Sequence, residues 1–369
     1  MKALTPEQHY LLKSFQADPA RRAILKSMLV LGAGGASMLK LADALAAASD
    51  QDVAQLTIMS QPGILVQVLQ ELSNPQFNKS YPNTRIQLEA SSNAAAYPRM
   101  LAQRSRPVVS GVMCNDIFAQ RGIADKMWEK FDPALMTGAA NVPAEIMTPG
   151  GYGITFQIAP YGIMYNPDRV QAPKSWTDLY DPKYAGRVSM WDSYFDAYVM
   201  AGVAAGKGPS VEEGIKAWAP HRKNIGAWVT SPIAEADLVH RGEVWLAPHW
   251  GSYAELARSQ GKNVAFVIPE EGAVQWSCHM QLCTGFSEPV SRLTQIYMNT
   301  WLSDELQRAF MEKGFFSPAT RTVQIPDTLK SPALITADDA AKNLIRPDFV
   351  SIGQQIPKLK ALIDRTLKG

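Results

Sequence analysis

QLTIMSQPGILVQVLQELSNPQFNKSYPNTRIQLEASSNAAAYPRMLAQRSRPVVSGVMCND, residues 55–116, decides the fold because its hydrophobic period keeps switching. Gln55 to Ser60 is a short β-rich run and reads as a first strand. Gly63 to Asn74 then places Ile64, Leu65, Val68, Leu69 and Leu72 at helical spacing. Thr84 to Leu88 alternates as a second strand, and Ala94 to Arg104 reads as another helix. Val108 to Cys114 is a third strand, ended by Asn115-Asp116. The order β-α-β-α-β predicts parallel strands with right-handed crossovers, hence an α/β class.

Downstream the alternation continues. Gly153 to Ile158 and Tyr161 to Asn166 read as strands, and Ser175 with Asp178 forms an N-cap pattern. Gly186 to Trp191 reads as a strand, a helix starts at Ala197, and Gly242 to Pro248 reads as a further strand. Val264 to Ile268 and Trp276 to Leu282 follow as strands. Leu293 to Gly314 reads as one long helix, and an amphipathic stretch from Pro357 to Leu367 closes the chain. No internal repeat or low-complexity tract interrupts this order.

Upstream, Ala20-Arg21-Arg22-Ala23 precedes a glycine-softened apolar run, Ser27 to Leu39, and the small-residue stretch Ala42 to Ser49. That pattern is a cleavable signal over residues 1–48, and the twin arginine points to the Tat export route and a periplasmic location. Cleavage after Ala46 or after Ala48 fits equally. The apolar run is too short to span a bilayer, which takes ~20 residues.

The chain has 369 residues, 46% apolar and 19% charged, which predicts two globular domains. Residues 1–48 carry a net +3 against +2 for the whole chain, so no basic surplus remains for nucleic acid. The odd, low count of three cysteines, Cys114, Cys278 and Cys283, argues against a disulfide framework, and buried thiols are the simpler reading.

Five stretches together carry a resemblance: Tyr161-Gly-Ile-Met-Tyr-Asn166; Ser175 to Leu179 with Tyr184 to Val188; Gly242 to Ser252; Pro269 to Trp276; and Gly314-Phe-Phe-Ser-Pro318. From Gln55 to the end the chain resembles a periplasmic substrate-binding protein of an ABC importer, in the spermidine/putrescine-like group. The resemblance implies a two-lobed α/β fold of the type II binding-protein kind. Lobe 1 would be residues 52–157 plus 279–322, and lobe 2 residues 158–278 plus 323–369, with the C-terminal tail on lobe 2. It implies a monomer without cofactor that binds a small organic solute in the cleft, closes by hinge motion and delivers the solute to inner-membrane permease subunits.

The same resemblance implies ligand residues. Ser60 and Gln61 sit in the loop after the first strand, and Asn115 and Asp116 end the third; each is also a plain turn or Asx cap. Trp250 and Trp276 match two tryptophans that sandwich the methylene chain in polyamine binders. Phe315 matches an aromatic of the cleft, and Tyr194 and Tyr253 are further candidates. The expected carboxylates are altered: Cys278 stands where one acid belongs and Ser193 where another does, with Asp192 beside it. Asp196 remains as an ammonium partner, and Arg321 would face a carboxylate. A buried ammonium without paired acids is costly, so the ligand is expected to be less cationic than a polyamine, amine-bearing or amino-acid-derived.

Other chemistries have weaker support. Cys278 and His279 are adjacent, and neighbours on a regular strand face opposite sides. No C-x-x-C, H-x-x-x-H, H-E-x-x-H, G-x-S-x-G or P-loop spacing occurs. A ferric-ion binder would use tyrosines such as Tyr194, Tyr198 and Tyr253, but no Tyr-Tyr pair exists. A Tat-exported enzyme would need a convergent catalytic set. A receptor-presenting signalling role would share the same cleft.

Overall fold

A computed structural model describes residue 50 and residues 52–369, so the export signal expected over 1–48 lies outside the described residues. The strands are β1 (Gln55–Ser60), β2 (Arg85–Ala90), β3 (Gly111–Asn115), β4 (Trp128–Glu129), β5 (Gly153–Tyr165), β6 (Val188–Trp191), β7 (Ile225–Val229), β8 (Leu246–Trp250), β9 (Ala265–Val267), β10 (Val274–Cys283) and β11 (Ser317–Pro318). They form one sheet ordered β2-β1-β3-β10-β5-β8-β6-β7, with β4, β9 and β11 pairing off this path.

The opening stretch folds as its periods predict. β1 pairs in parallel with β2 on one side and β3 on the other. The helix after β1 is α1 (Ile64–Val68), which passes through a π turn at Leu69–Ser73 into α2 (Asn74–Asn78). Then come α3 (Asn93–Ala102), capped by the Ser92 hydroxyl accepting from Ala95 N–H, and α4 (Asp116–Ala124), capped by Asn115 accepting from Phe118 N–H.

β5 and β10 join the two halves of the sheet. The runs at 153–158 and 161–166 are one strand of 13 residues. Pro160 is tolerated inside it because one edge changes neighbour there: β11 pairs with Ile158 and Gln157, and β8 takes over only from Tyr161. The β5–β10 ladder slips between Cys278 and His279, where Phe156 is skipped, so a β-bulge interrupts both crossing strands at one level.

The second half is built on β8, β6 and β7. β6 is parallel to both neighbours; β7 had no counterpart in the sequence reading. Its helices are α5 (Asp196–Ala204), α6 (Val211–Trp218), α7 (Pro232–His240) and α8 (Gly251–Ser259). α5 is apolar all round and buried along most of its length. α6 approaches it so closely that a Cβ on Gly214 would lie 1.7 Å from the Tyr198 carbonyl oxygen, which only glycine permits.

The predicted long helix at 293–314 is two: α9 (Glu288–Asn299) and α10 (Asp304–Gly314). Ser303 adopts an extended conformation between them and its hydroxyl caps α10 by accepting from Leu306 N–H at 3.3 Å. After α11 (Ala337–Asn343), the tail helix α12 (Phe349–Ile363) packs along α4 as well as α6, so it touches both halves. No helix among the described residues is long and apolar enough to cross a membrane.

Candidate binding cleft

A cavity of about 380 Å³ opens where the C-terminal ends of β1, β3, β6 and β8 face one another. Strand ends and helix starts of an α/β sheet are where such sites form. One half contributes Gln61, Pro62, Gly63, Ile64, Leu65, Ser92, Asn93 and Asn115. The other contributes Trp191, Tyr194, Thr230, Pro232, Ile233, Trp250, Ser252, Tyr253 and Leu256, and Trp276, Gly314 and Phe316 close the remaining side.

Six of these side chains are aromatic, and Trp250 is their hub. Its ring centroid lies 5.0 Å from that of Tyr194, 5.3 Å from Trp191, 6.1 Å from Trp276 and 6.2 Å from Tyr253, all edge-on. Edge-to-face contact at these separations fixes ring orientation as well as burying area.

Two buried ionisable groups hold this wall from behind. Glu235 is fully buried; its carboxyl accepts from the Trp191 indole N–H at 2.7 Å and from the Ser189 hydroxyl at 2.7 Å. Burial pushes its pKa up to about 8 against the opposing pull of those two hydrogen bonds. His249 accepts the Trp250 N–H on Nδ1 at 2.9 Å, which leaves the proton on Nε2 to donate to the Pro232 carbonyl at 3.1 Å. Burial lowers its pKa to about 4, so this imidazole is neutral.

The polar lining is uncharged: no Asp, Glu, Lys, Arg or His is among the lining residues. The Gln61 amide donates to Asn93 Oδ1 at 3.5 Å and to the Cys278 thiol at 3.7 Å. Asn93 is spent on the backbone, donating to the Met113 carbonyl and accepting from Asn115 N–H. Ser252 Oγ and Trp250 Nε1 are buried with no protein partner.

Of the twelve residues expected from sequence, Gln61, Asn115, Tyr194, Trp250, Tyr253 and Trp276 line this cavity. The other six lie outside its lining. Ser60 is fully buried and donates to the Gln61 carbonyl at 3.1 Å. Asp116 accepts from Ser277 N–H at 2.8 Å and meets His279 Nε2 at 2.9 Å, while His279 Nδ1 meets Thr155. Asp192 is turned to the tail, where it pairs with Lys368 at 2.6 Å. Asp196 is buried at the start of α5, and burial raises its pKa to about 7. Cys278 is buried below Gln61. Phe315 takes a left-handed conformation, φ 54°, to end α10, which turns Phe316 into the cavity instead. Arg321 is paired with Asp338 at 2.7 Å on the surface and does not face a ligand here.

Trp191, Ser252 and Phe316 were not singled out from sequence. Each adjoins a residue or strand end that was, and the missing information was which way the backbone turns. The three cysteines are free and buried.

Residues 109–342, more than half of the chain, match the family model described as bacterial extracellular solute-binding protein. The chain belongs to this family. A curated relative, the spermidine/putrescine-binding periplasmic protein of Escherichia coli (strain K12), is 24% identical over 234 residues. That match covers 59% of this chain and 66% of the relative's length. Among solved structures, an ABC transporter protein from Clostridium perfringens superposes with a TM-score of 0.70 at 18% identity, covering 85% of this chain and 99% of that one. An ABC transporter substrate-binding protein from Bradyrhizobium japonicum USDA 110 gives 0.66 at 18% identity, covering 83% and 99%. The two-lobed fold of the periplasmic substrate-binding proteins is therefore the fold of this solute-binding protein, and its cavity lies where the two halves of the sheet meet.

Proposed function

We propose that this solute-binding protein captures a small organic solute between its lobes and hands it to the membrane permease of an ABC importer, without covalent chemistry. The observation that carries the solute class is the lining: six aromatic side chains, several amides and hydroxyls, and no ionised group. An aromatic wall of this kind favours a flat or aliphatic body. A di- or triammonium chain would have to leave its charges unpaired, which is costly. An amino-acid-derived solute or another small polar organic molecule fits better than a polyamine. Ligand contacts made from both lobes would stabilise the closed form through their differential affinity.

Two lobe limits are proposed at the bulge in the crossing strands, between 157 and 158 and between 278 and 279; the third, between 322 and 323, follows the family resemblance, with the tail helix α12 reaching α4 as well as α6, so that the lobes are residues 52–157 plus 279–322 and 158–278 plus 323–369. The support for the first two is the slip opposite Phe156, where the ladder is already interrupted and bending costs least. Export by the twin-arginine route is proposed from Arg21-Arg22.

The test is a thermal-shift and calorimetric screen of the purified chain against polyamines, neutral and acidic amino-acid derivatives, and ferric ion. A bound ligand raises the melting temperature with its concentration over Kd. The expected result is a shift with an uncharged or zwitterionic organic solute. A shift confined to spermidine or putrescine would refute the charge argument. A shift confined to ferric ion would move the site to the phenols of Tyr194 and Tyr253, which share this cavity.

A further inference from the structure

Among the described residues, four helices of eight residues or more begin at the cavity: α3, α4, α7 and α8. The first turns of α3, α4 and α7 are closed by side chains, with Ser92, Asn115 and Ser231 each accepting a backbone N–H. α4 and α7 also carry Asp116 and Glu235 in the first turn. α8 has neither device: its N-cap is Trp250, no side chain caps it, and no acid stands in its first turn. First-turn amides have no acceptor within the helix, and the helix dipole makes that end positive.

A second observation marks the same place. Ser252, 1% exposed, and Trp250, 4% exposed, both line the cavity, and Ser252 Oγ and Trp250 Nε1 have no hydrogen-bond partner. A buried donor without an acceptor is costly, so two at one helix start leave room for an acceptor supplied from outside. The helix start is also rigidly seated. A Cβ on Gly251 would lie 2.8 Å from Ala333 Cβ and 3.0 Å from the Phe266 ring, so the first residue of α8 is packed tightly against both.

Resting on the reading of this cavity as the solute site, we infer that the start of α8, with Ser252 Oγ and Trp250 Nε1, is a subsite for an oxyanion group of the solute, a carboxylate or a phosphate. The aromatic wall would take the body of the same molecule. The buried acids around this helix start are engaged elsewhere. Glu235 accepts from Ser189 and Trp191, and Glu255, within α8 itself, pairs with Arg258 and accepts from Ser331. Asp116 is engaged by Ser277 N–H and His279, and Asp196 lies outside the lining at the start of α5.

The experiment compares ligands of one shape and different charge on the purified full chain: benzoate, phenyl phosphate, benzyl alcohol and benzylamine, by calorimetry. Binding of benzoate or phenyl phosphate at least tenfold tighter than benzyl alcohol is expected, and whichever anion wins identifies the group. Ser252→Ala should cut that preference severalfold, read as the ratio of benzoate to benzyl alcohol affinity within the same variant. Ser252→Asp, which puts the chain's own carboxylate in the first turn, should abolish it; Ser252→Ala serves if that variant folds poorly. Binding of benzyl alcohol or benzylamine with no preference for the anions overturns the subsite and leaves the solute-binding reading intact. No binding of any compound in the panel overturns both.

Discussion

Replacing Glu235 by Gln should flatten the pH dependence of stability. Glu235 is fully buried between Ser189 and Trp191, and its pKa is raised to about 8 from an ordinary 4.5. A carboxyl with a raised pKa holds its proton in the folded state and loses it in the unfolded state between those two values. The unfolded chain then binds fewer protons, so stability falls as pH rises from about 4.5 to about 8. At 1.36 kcal/mol per pKa unit the loss from this one group is about 5 kcal/mol, roughly 70% of which falls below neutrality. Asp196, raised to about 7, acts in the same direction, and His249, lowered to about 4, acts in the opposite one between about 4 and 6.5. The glutamine amide keeps both contacts, accepting from the Trp191 indole and donating to Ser189 Oγ. The assay is urea denaturation of parent and variant from about pH 5 to about pH 9, read as the difference between their curves, which cancels every other titration. The variant should gain on the parent as pH rises to about 8 and level off above it. Parallel curves would mean that Glu235 is ionised in the fold and that the argument from burial is wrong.

Two further outcomes are expected. Trp276→Ala should weaken solute binding by ~1–3 kcal/mol with little loss of stability, because Trp276 touches a single ring of the wall, whereas Trp250→Ala should also cost ~3–5 kcal/mol of stability as the hub of that wall; calorimetry and denaturation of the two variants separate the effects. None of Cys114, Cys278 and Cys283 should react with a thiol reagent in the folded protein and all three should react in denaturant, because each is buried and burial pushes each thiol pKa up.

The opening β-α-β-α-β unit was legible because period carries it: β1 begins and ends where its apolar run does, and the next two strands lie within a few residues of their expected places. Periodicity failed where local chemistry overrides it. Ser303 breaks an otherwise continuous helical pattern by capping α10, a signal contained in Ser303-Asp304-Glu305. β7 went unseen because Ile225 to Val229 is only half-buried beside β6 and shows no clean alternation. Residues 153–158 and 161–166 read as two strands, whereas the change of neighbour along β5 lets one strand run through Pro160.

The cavity was half legible, and the division has a physical cause. Gln61, Asn115 and Trp250 lie at strand ends, whose position along the chain fixes which rim of the sheet they occupy, so position alone brings them to the cleft. Phe315, Asp192 and Cys278 depend on direction, which a one-residue change of backbone angle reverses. At Phe315 the left-handed residue that ends α10 sends the neighbouring ring inward. Asp192 leaves the end of β6 toward Lys368, and Cys278 points beneath Gln61 at the bulge. The acids carried over by resemblance are therefore not simply replaced one for one. Those that remain are outside the lining, and the surface left to meet a solute is aromatic and neutral, with one helix start that no side chain caps. On the proposed reading, selectivity would follow the shape of the aromatic wall and the charge of the helix terminus, and Ser252 is the position at which a substitution tests the second.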